Sequence, residues 1–201
     1  MNNYNPQRTF IHEVGHFVAR ELNKKIYNIG NGVEQIFITG EENLMKSIKG
    51  LGGTVPKKPE NLIENDEVKN PIELTTVLLY GCLFQSIYTN TKFDNCFNIQ
   101  SNASGKKDVE HFISLEKYFN GKKRRTIVDF FCYNYFEELS LSPNHFNEIN
   151  QLNYQDYILE KNDGDYIIDI ENLNKDLKNF LSIHEEPYKK LIEKISYIYY
   201  L

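Results

Sequence analysis

No tryptophan occurs in the 201 residues, and only three cysteines and six prolines do. The cysteines, Cys82, Cys96 and Cys132, show no C-x-x-C spacing and sit among Phe, Leu, Ile or Tyr. That pattern excludes a disulfide scaffold and reads as free buried thiols in a reducing compartment. Long hydrophobic runs are missing too. No stretch reaches the roughly 18 uncharged apolar residues that a membrane span needs, and residues 1–10 contain no apolar leader segment. A cytoplasmic protein is the default expectation. There is no basic excess: 23 Lys and Arg against 28 Asp and Glu leave a net charge of −5, which gives no support to a nucleic-acid or anionic-membrane partner. The one basic run, Lys122-Lys123-Arg124-Arg125, reads as a solvated helix start or loop. What remains is an ordinary globular composition, rich in Tyr and Phe and long enough for one domain with a substantial core.

Helix signals dominate the chain. Asn5 before Pro6 is a start signal, because Asn caps free backbone N–H groups and Pro tolerates the first helical position. The spacing of Phe10, Val14, Val18 and Leu22 predicts a helix over about 6–22 with one broad buried face. Strands are expected at Val33 to Thr39 and Gly53 to Val55, followed by a polar surface loop over 56–69. Asn70-Pro71-Ile72-Glu73 is a second start with a capping-box glutamate, opening a central helix to about Tyr88. A polar loop spans 90–107. Further helices are expected over about 107–119 and 126–139, with Ser142-Pro143 capping another. Near the end, Asp163-Gly164 marks a tight turn before the alternating strand Tyr166 to Ile170, and two amphipathic helices close the chain. The fold class expected is mainly α with a small β-sheet, α+β. Residues 1–140 form the main domain and 141–201 a C-terminal helical extension packing on it.

The segment with chemistry in it is His12-Glu13-Val14-Gly15-His16. Two histidines four apart on a helix share a face, so both imidazoles can reach one Zn²⁺ at about 2.0–2.1 Å. Glu13 follows the first histidine and projects beside the metal, where its carboxylate can take a proton from water as a general base. Apart from the motif itself, residues 9–18 are uncharged, as expected of a buried helix where unpaired histidines would be costly. Gly15 costs a helix about 1 kcal/mol relative to Ala, which suggests that another backbone or a ligand comes close there. The plain alternative is a partly exposed histidine pair with Glu13 as a solvated charge.

A catalytic zinc usually takes three protein ligands plus water. Ala19 and Leu22 stand where the extended metzincin pattern has Gly and a third His, so that pattern fails. The order His12-Glu13-Val14-Gly15-His16, Leu51-Gly52-Gly53-Thr54-Val55-Pro56, Leu79-Tyr80-Gly81-Cys82-Leu83-Phe84-Gln85 and Ser104-Gly105-Lys106-Lys107-Asp108 resembles the peptidase domain of the FtsH-type membrane-anchored AAA proteases, over roughly residues 6–140. By position, the resemblance implies Asp108 as the third zinc ligand. Asp108 is also a hard oxygen donor at a helix start, with His111 one turn later as a partner or competing ligand. Glu73 and Glu42 are weaker rivals, and His145 and His184 lie in polar surroundings that read as solvent-facing. The chain departs from the family pattern at Gln85, where Glu is usual, and at Lys107 and Phe112, where small residues are usual. Only eleven residues precede His12, so neither an ATPase module nor a membrane anchor is expected, nor any unfolding of folded proteins by the chain itself.

These observations lead to the expectation of an ATP-independent zinc metallopeptidase-like hydrolase. His12, His16 and Asp108 would hold the metal, and Glu13 would be the base and later the proton donor to the leaving amine. By analogy with zinc peptidases, an edge strand from the region 33–55 would hold a flexible peptide or unfolded segment by main-chain hydrogen bonds. The rivals are a non-catalytic zinc-binding adaptor or regulatory module, and a hydrolase acting on a non-peptide amide.

Overall fold

A computed structural model describes residues 4–40, 51–57, 63–64, 67–68, 70–99, 105–119, 121, 124–139 and 146–200. Glu42, Ser104, Lys122, Lys123, the Ser142-Pro143 start and His145 therefore lie outside the described residues. The first helix, α1 (Pro6–Tyr27), begins as expected, with the Asn5 side chain accepting from the Arg8 N–H. It runs five residues past Leu22, because nothing in Asn23 to Tyr27 breaks a helix. It ends where Asn28 takes a left-handed conformation and its N–H caps the Lys24 carbonyl. Phe10, Ile11, Val14, Phe17, Val18 and Leu22 are wholly buried along it.

Beside it lies α2 (Pro71–Thr89), apolar almost all round and buried over most of its length. The capping box expected at its start does not form. Asn70 makes no side-chain cap bond, and Glu73 bonds its own backbone instead, its carboxyl pKa raised by partial burial. An aromatic cluster centred on Tyr80, with Phe84, Phe131, Tyr135 and Tyr188 at ring separations of 5.5–5.9 Å, joins α2 to α5 (Arg124–Leu139) and α8 (Lys178–Tyr200). Such pairs add about 0.5–1.5 kcal/mol each beyond their buried area, so a core without tryptophan is held by tyrosine and phenylalanine. Two shorter helices, α3 (Phe93–Cys96) and α4 (Lys106–Leu115), flank α2. Thus the segment read as a polar loop contains a helical turn.

The main sheet is antiparallel. Strand β1 (Val33–Thr39) pairs on one side with β2 (Gly52–Pro56) and on the other with β6 (Asp165–Ile168), which pairs with β5 (Ile158–Asn162), giving the order β2-β1-β6-β5. Between these come β3 (Ile63–Glu64) and β4 (Glu67–Val68), a two-residue ladder inside the region read as loop. Val33, Ile36, Ile38 and Ile168 turn the buried face of the sheet toward the core. Asp163 and Gly164, both at positive φ, form the turn between β5 and β6, as an Asp-Gly pair favours. The last strand stops at Ile168 rather than Ile170, because the Asp169 side chain caps the Asn172 N–H and starts α7 (Ile170–Asp176). The small α6 (Asn147–Gln151) precedes this hairpin.

The fold is thus mainly helical with a small four-stranded sheet, in which β5 and β6 join β1 and β2. No helix among the described residues is long and apolar enough to cross a membrane. What positions the site is the packing of α1 lengthwise on α2, with β2 crossing one side of α1 and the start of α4 closing another side of α2.

Candidate metal centre

His12, Glu13 and His16 sit mid-helix in α1 and are 5%, 5% and 8% exposed, so ionisable groups are fully committed to the interior. The plain alternative of exposed histidines does not hold. His12 Nε2 and His16 Nε2 lie 3.1 Å apart. One oxygen of Asp108, Oδ2, is 3.0 Å from His12 Nε2 and the other, Oδ1, is 3.4 Å from His16 Nε2. A tetrahedral ion with 2.0–2.1 Å bonds separates its ligands by about 3.3–3.4 Å, so the three groups are spaced as neighbours around one small cation. His16 Nδ1–H donates to the Val77 carbonyl at 2.8 Å, which fixes the ring and turns Nε2 toward the cluster.

Two glycines make room. A Cβ on Gly15 would overlap the Tyr80 carbonyl, with its carbon 2.7 Å away, so only glycine lets α1 approach α2 this closely. A Cβ on Gly81 would lie 2.5 Å from His16 Cε1, 2.6 Å from His16 Nε2 and 2.9 Å from His12 Nε2. Any side chain at residue 81 would occupy the space the imidazoles face. The donor set and this cradle fit a small divalent ion.

The electrostatics reflect the same convergence. Burial disfavours a charged His12, yet the Asp108 hydrogen bond, aided by Cys96, outweighs it and holds the imidazole pKa well above its ordinary value. Burial would raise the Asp108 carboxyl, but the charge of His16 and the hydrogen bonds from both histidines pull it well below the usual carboxylate range. Two buried bases and a buried acid thus stabilise one another where a cation would otherwise do so.

Glu13 faces β2. Its Oε2 accepts from Thr54 Oγ1 at 2.9 Å, and the same hydroxyl lies 3.3 Å from the Glu13 carbonyl. Nothing in the sequence alone assigns Thr54 that role, since the strand and the helix meet only through tertiary packing. The two buried thiols are also here. Cys96 Sγ is 3.8 Å from His12 Nδ1, and Cys82 Sγ is 4.0 Å from Asp108 Oδ2. Burial first, then Cys96, Asp108 and Glu13, push the Cys82 thiol well above its ordinary pKa. Among the described residues, two groups could hold a metal: His12 with His16 and Asp108, and His12 with Cys82 and Cys96.

Other candidates fall away. His111 is exposed, and the buried face of α4 is Asp108, Val109, Phe112 and Leu115, so it neither supports nor competes for the centre. At about 100° per residue it lies on the rim of that face. Glu73 is half-buried at the start of α2, near Tyr27 and Tyr188. His184 is 1% exposed, not solvent-facing, with Nδ1–H donating to the Phe180 carbonyl at 2.8 Å and its ring stacked on Phe180. Cys132 is only partly buried, in α5. Gln85 is buried in α2, one turn beyond Gly81, while Lys107 is exposed and Phe112 is packed between Phe97 and Phe119. No family model, curated protein or solved structure matches the chain. The likeness to FtsH-type peptidase domains therefore rests on the motifs and their order.

Proposed function

We propose that the chain is a zinc-dependent hydrolase of flexible peptides, with His12, His16 and Asp108 as the metal ligands and Glu13 as the general base. The observation that carries this reading is the meeting of two α1 imidazoles and a carboxylate from α4 at 3.0–3.4 Å beside a glycine that leaves their common space empty of side chain. The motif resemblance to FtsH-type peptidases supports the same assignment of ligands.

Bound zinc would supply an acidified water and a polarised substrate carbonyl. The chain's own groups do the rest. Thr54 holds Oε2 of Glu13, and in this reading Oε1 carries the proton. Glu13 takes a proton from the attacking water and returns it to the leaving amine nitrogen, so its charge is restored in each turnover. Among the described residues strand β2 pairs with β1 alone, at the end of its sheet, and Thr54 on it touches Glu13. An extended peptide adding alongside β2 would place its backbone next to the base, binding by main-chain hydrogen bonds and thus favouring unstructured segments.

Metal analysis of the purified protein together with digestion of a peptide library tests the proposal. One zinc per chain, and cleavage that stops on chelation and returns with zinc, is the expected result. A protein that binds no zinc at micromolar metal, or cleaves equally well after chelation, would sink it.

A further inference from the structure

The thiols next to the centre make a second donor set that the hydrolase reading does not use. Cys82 comes from α2 and Cys96 is the last residue of α3; they are 0% and 2% exposed. One donor atom from each of His12, Cys82 and Cys96 lies within 4.8 Å of the others. An ion with 2.3 Å bonds to sulfur and about 2.0–2.1 Å bonds to nitrogen separates S from N by about 3.6 Å if tetrahedral and about 3.8 Å if trigonal. The observed 3.8 Å between Cys96 Sγ and His12 Nδ1 matches the trigonal case.

The surroundings hold this set in place. The Cys96 carbonyl accepts from the N–H groups of Gly105, at 3.2 Å, and Asn98, at 3.1 Å, tying the end of α3 to the start of α4. A Cβ on Gly105 would overlap Cys82 Sγ, so the glycine lets the backbone of that turn close over the sulfur. Two sulfurs and one imidazole in a dry, low-coordination arrangement suit a soft monovalent d¹⁰ ion far better than a hard divalent one.

We infer that Cys82, Cys96 and Nδ1 of His12 form a second cation site, for a thiophilic ion of the Cu(I) type, which competes with the His12–His16–Asp108 centre. The competition follows from the ring the two sets share. Nε2 of His12 faces His16 and Asp108, while Nδ1 faces Cys96. A neutral imidazole has one lone-pair nitrogen and one N–H, so it serves one ion at a time. Binding releases the two thiol protons to solvent and changes no oxidation state. The sulfur site stands on its own geometry; only the competition rests on the proposed zinc centre.

The test is anaerobic titration with Cu(I), buffered by a chromophoric Cu(I) chelator, in a Cys132→Ser background that removes the third thiol. One Cu(I) per chain is expected, lost in Cys82→Ser and in Cys96→Ser and kept in Asp108→Asn and in His16→Ala. Zinc affinity should fall at least tenfold when one equivalent of Cu(I) is present, and should not respond to Cu(I) in the Cys82→Ser/Cys96→Ser double variant. Circular dichroism checks that each variant is folded, and the double variant's zinc binding serves as a second check. Cu(I) binding that survives loss of both thiols, or that vanishes with Asp108→Asn, overturns the separate site. Zinc affinity indifferent to Cu(I) overturns the competition. A wild type that takes Cu(I) at the thiols but never zinc leaves this site standing and refutes the hydrolase reading instead.

Discussion

Among the described residues, histidine is buried in two regions, and the difference between them separates a packing residue from a candidate ligand. His184 on α8 is as inaccessible as His12 and His16 on α1. Its Nδ1–H is engaged locally, by the carbonyl one turn back, and its ring stacks on Phe180 at 3.8 Å between centroids. The α1 pair is organised the other way. His16 is fixed from a different helix through the Val77 carbonyl, and both Nε2 atoms point at each other and at a carboxylate brought in by α4. A local partner on the same helix marks a packing residue; convergence of donors from two helices, with one ring fixed by a third, marks a candidate site.

That contrast breaks most visibly in the rate of peptide hydrolysis. Glu13→Gln keeps the shape of the side chain and the Thr54 contact but loses the base, so cleavage of a fluorogenic flexible peptide should fall by about 10²–10⁴-fold while zinc stoichiometry stays unchanged. Equal rates in the variant and the wild type would end the assigned role of Glu13. The same comparison can be drawn in stability. Zinc at 100 times its dissociation constant should stabilise the fold by about 2.7 kcal/mol, an upward shift in Tm of roughly 5–10 °C for a chain of this size. Asp108→Asn should abolish the shift, losing more affinity than the roughly 10–100-fold that removal of a supporting partner costs. A full shift in that variant would exclude Asp108 as a ligand.

How far the sequence discloses each region follows from how local its determinants are. The start of α1, strand β1 and the Asp163-Gly164 turn are set by neighbours in the chain, and their residues announce them. The His-Glu-x-x-His segment is legible for the same reason, since one helical turn fixes both imidazoles. Asp108 is reachable only through an ordered set of motifs, as no local rule connects α4 to α1. Thr54, Cys82 and Cys96 join the site through packing between elements far apart in the chain, which no spacing encodes. The burial of His184 was open to inference. Phe180, Tyr188, Leu191 and Ile195, with His184, recur at three- and four-residue intervals as one buried stripe. The charged neighbours Glu185 and Glu186 disguise that stripe.

A smaller effect sharpens the comparison from the side of β2. Thr54→Val is nearly isosteric and suits a strand, yet removes the hydroxyl bound to Glu13 Oε2. One hydrogen bond to a carboxylate is worth about 1.5 kcal/mol, so kcat should drop by about tenfold, with little change in KM or zinc content. A change confined to KM would mean that Thr54 serves the peptide rather than the base.

The smallest effect belongs to the other region. His184→Phe keeps a ring on Phe180 and gives up the bond to its carbonyl, which the helix backbone already engages. A loss of about 1 kcal/mol in unfolding free energy is expected from the hydrogen bond alone, read by urea denaturation at unchanged slope. Zinc stoichiometry and peptide cleavage should stay at wild-type values, because Nδ1 and the ring face of His184 are both engaged by Phe180 on its own helix. If His184→Phe instead lowered zinc affinity as far as Asp108→Asn, the two buried histidine regions would be one coupled unit, and the division between packing and ligand roles drawn from their hydrogen-bond partners would fail.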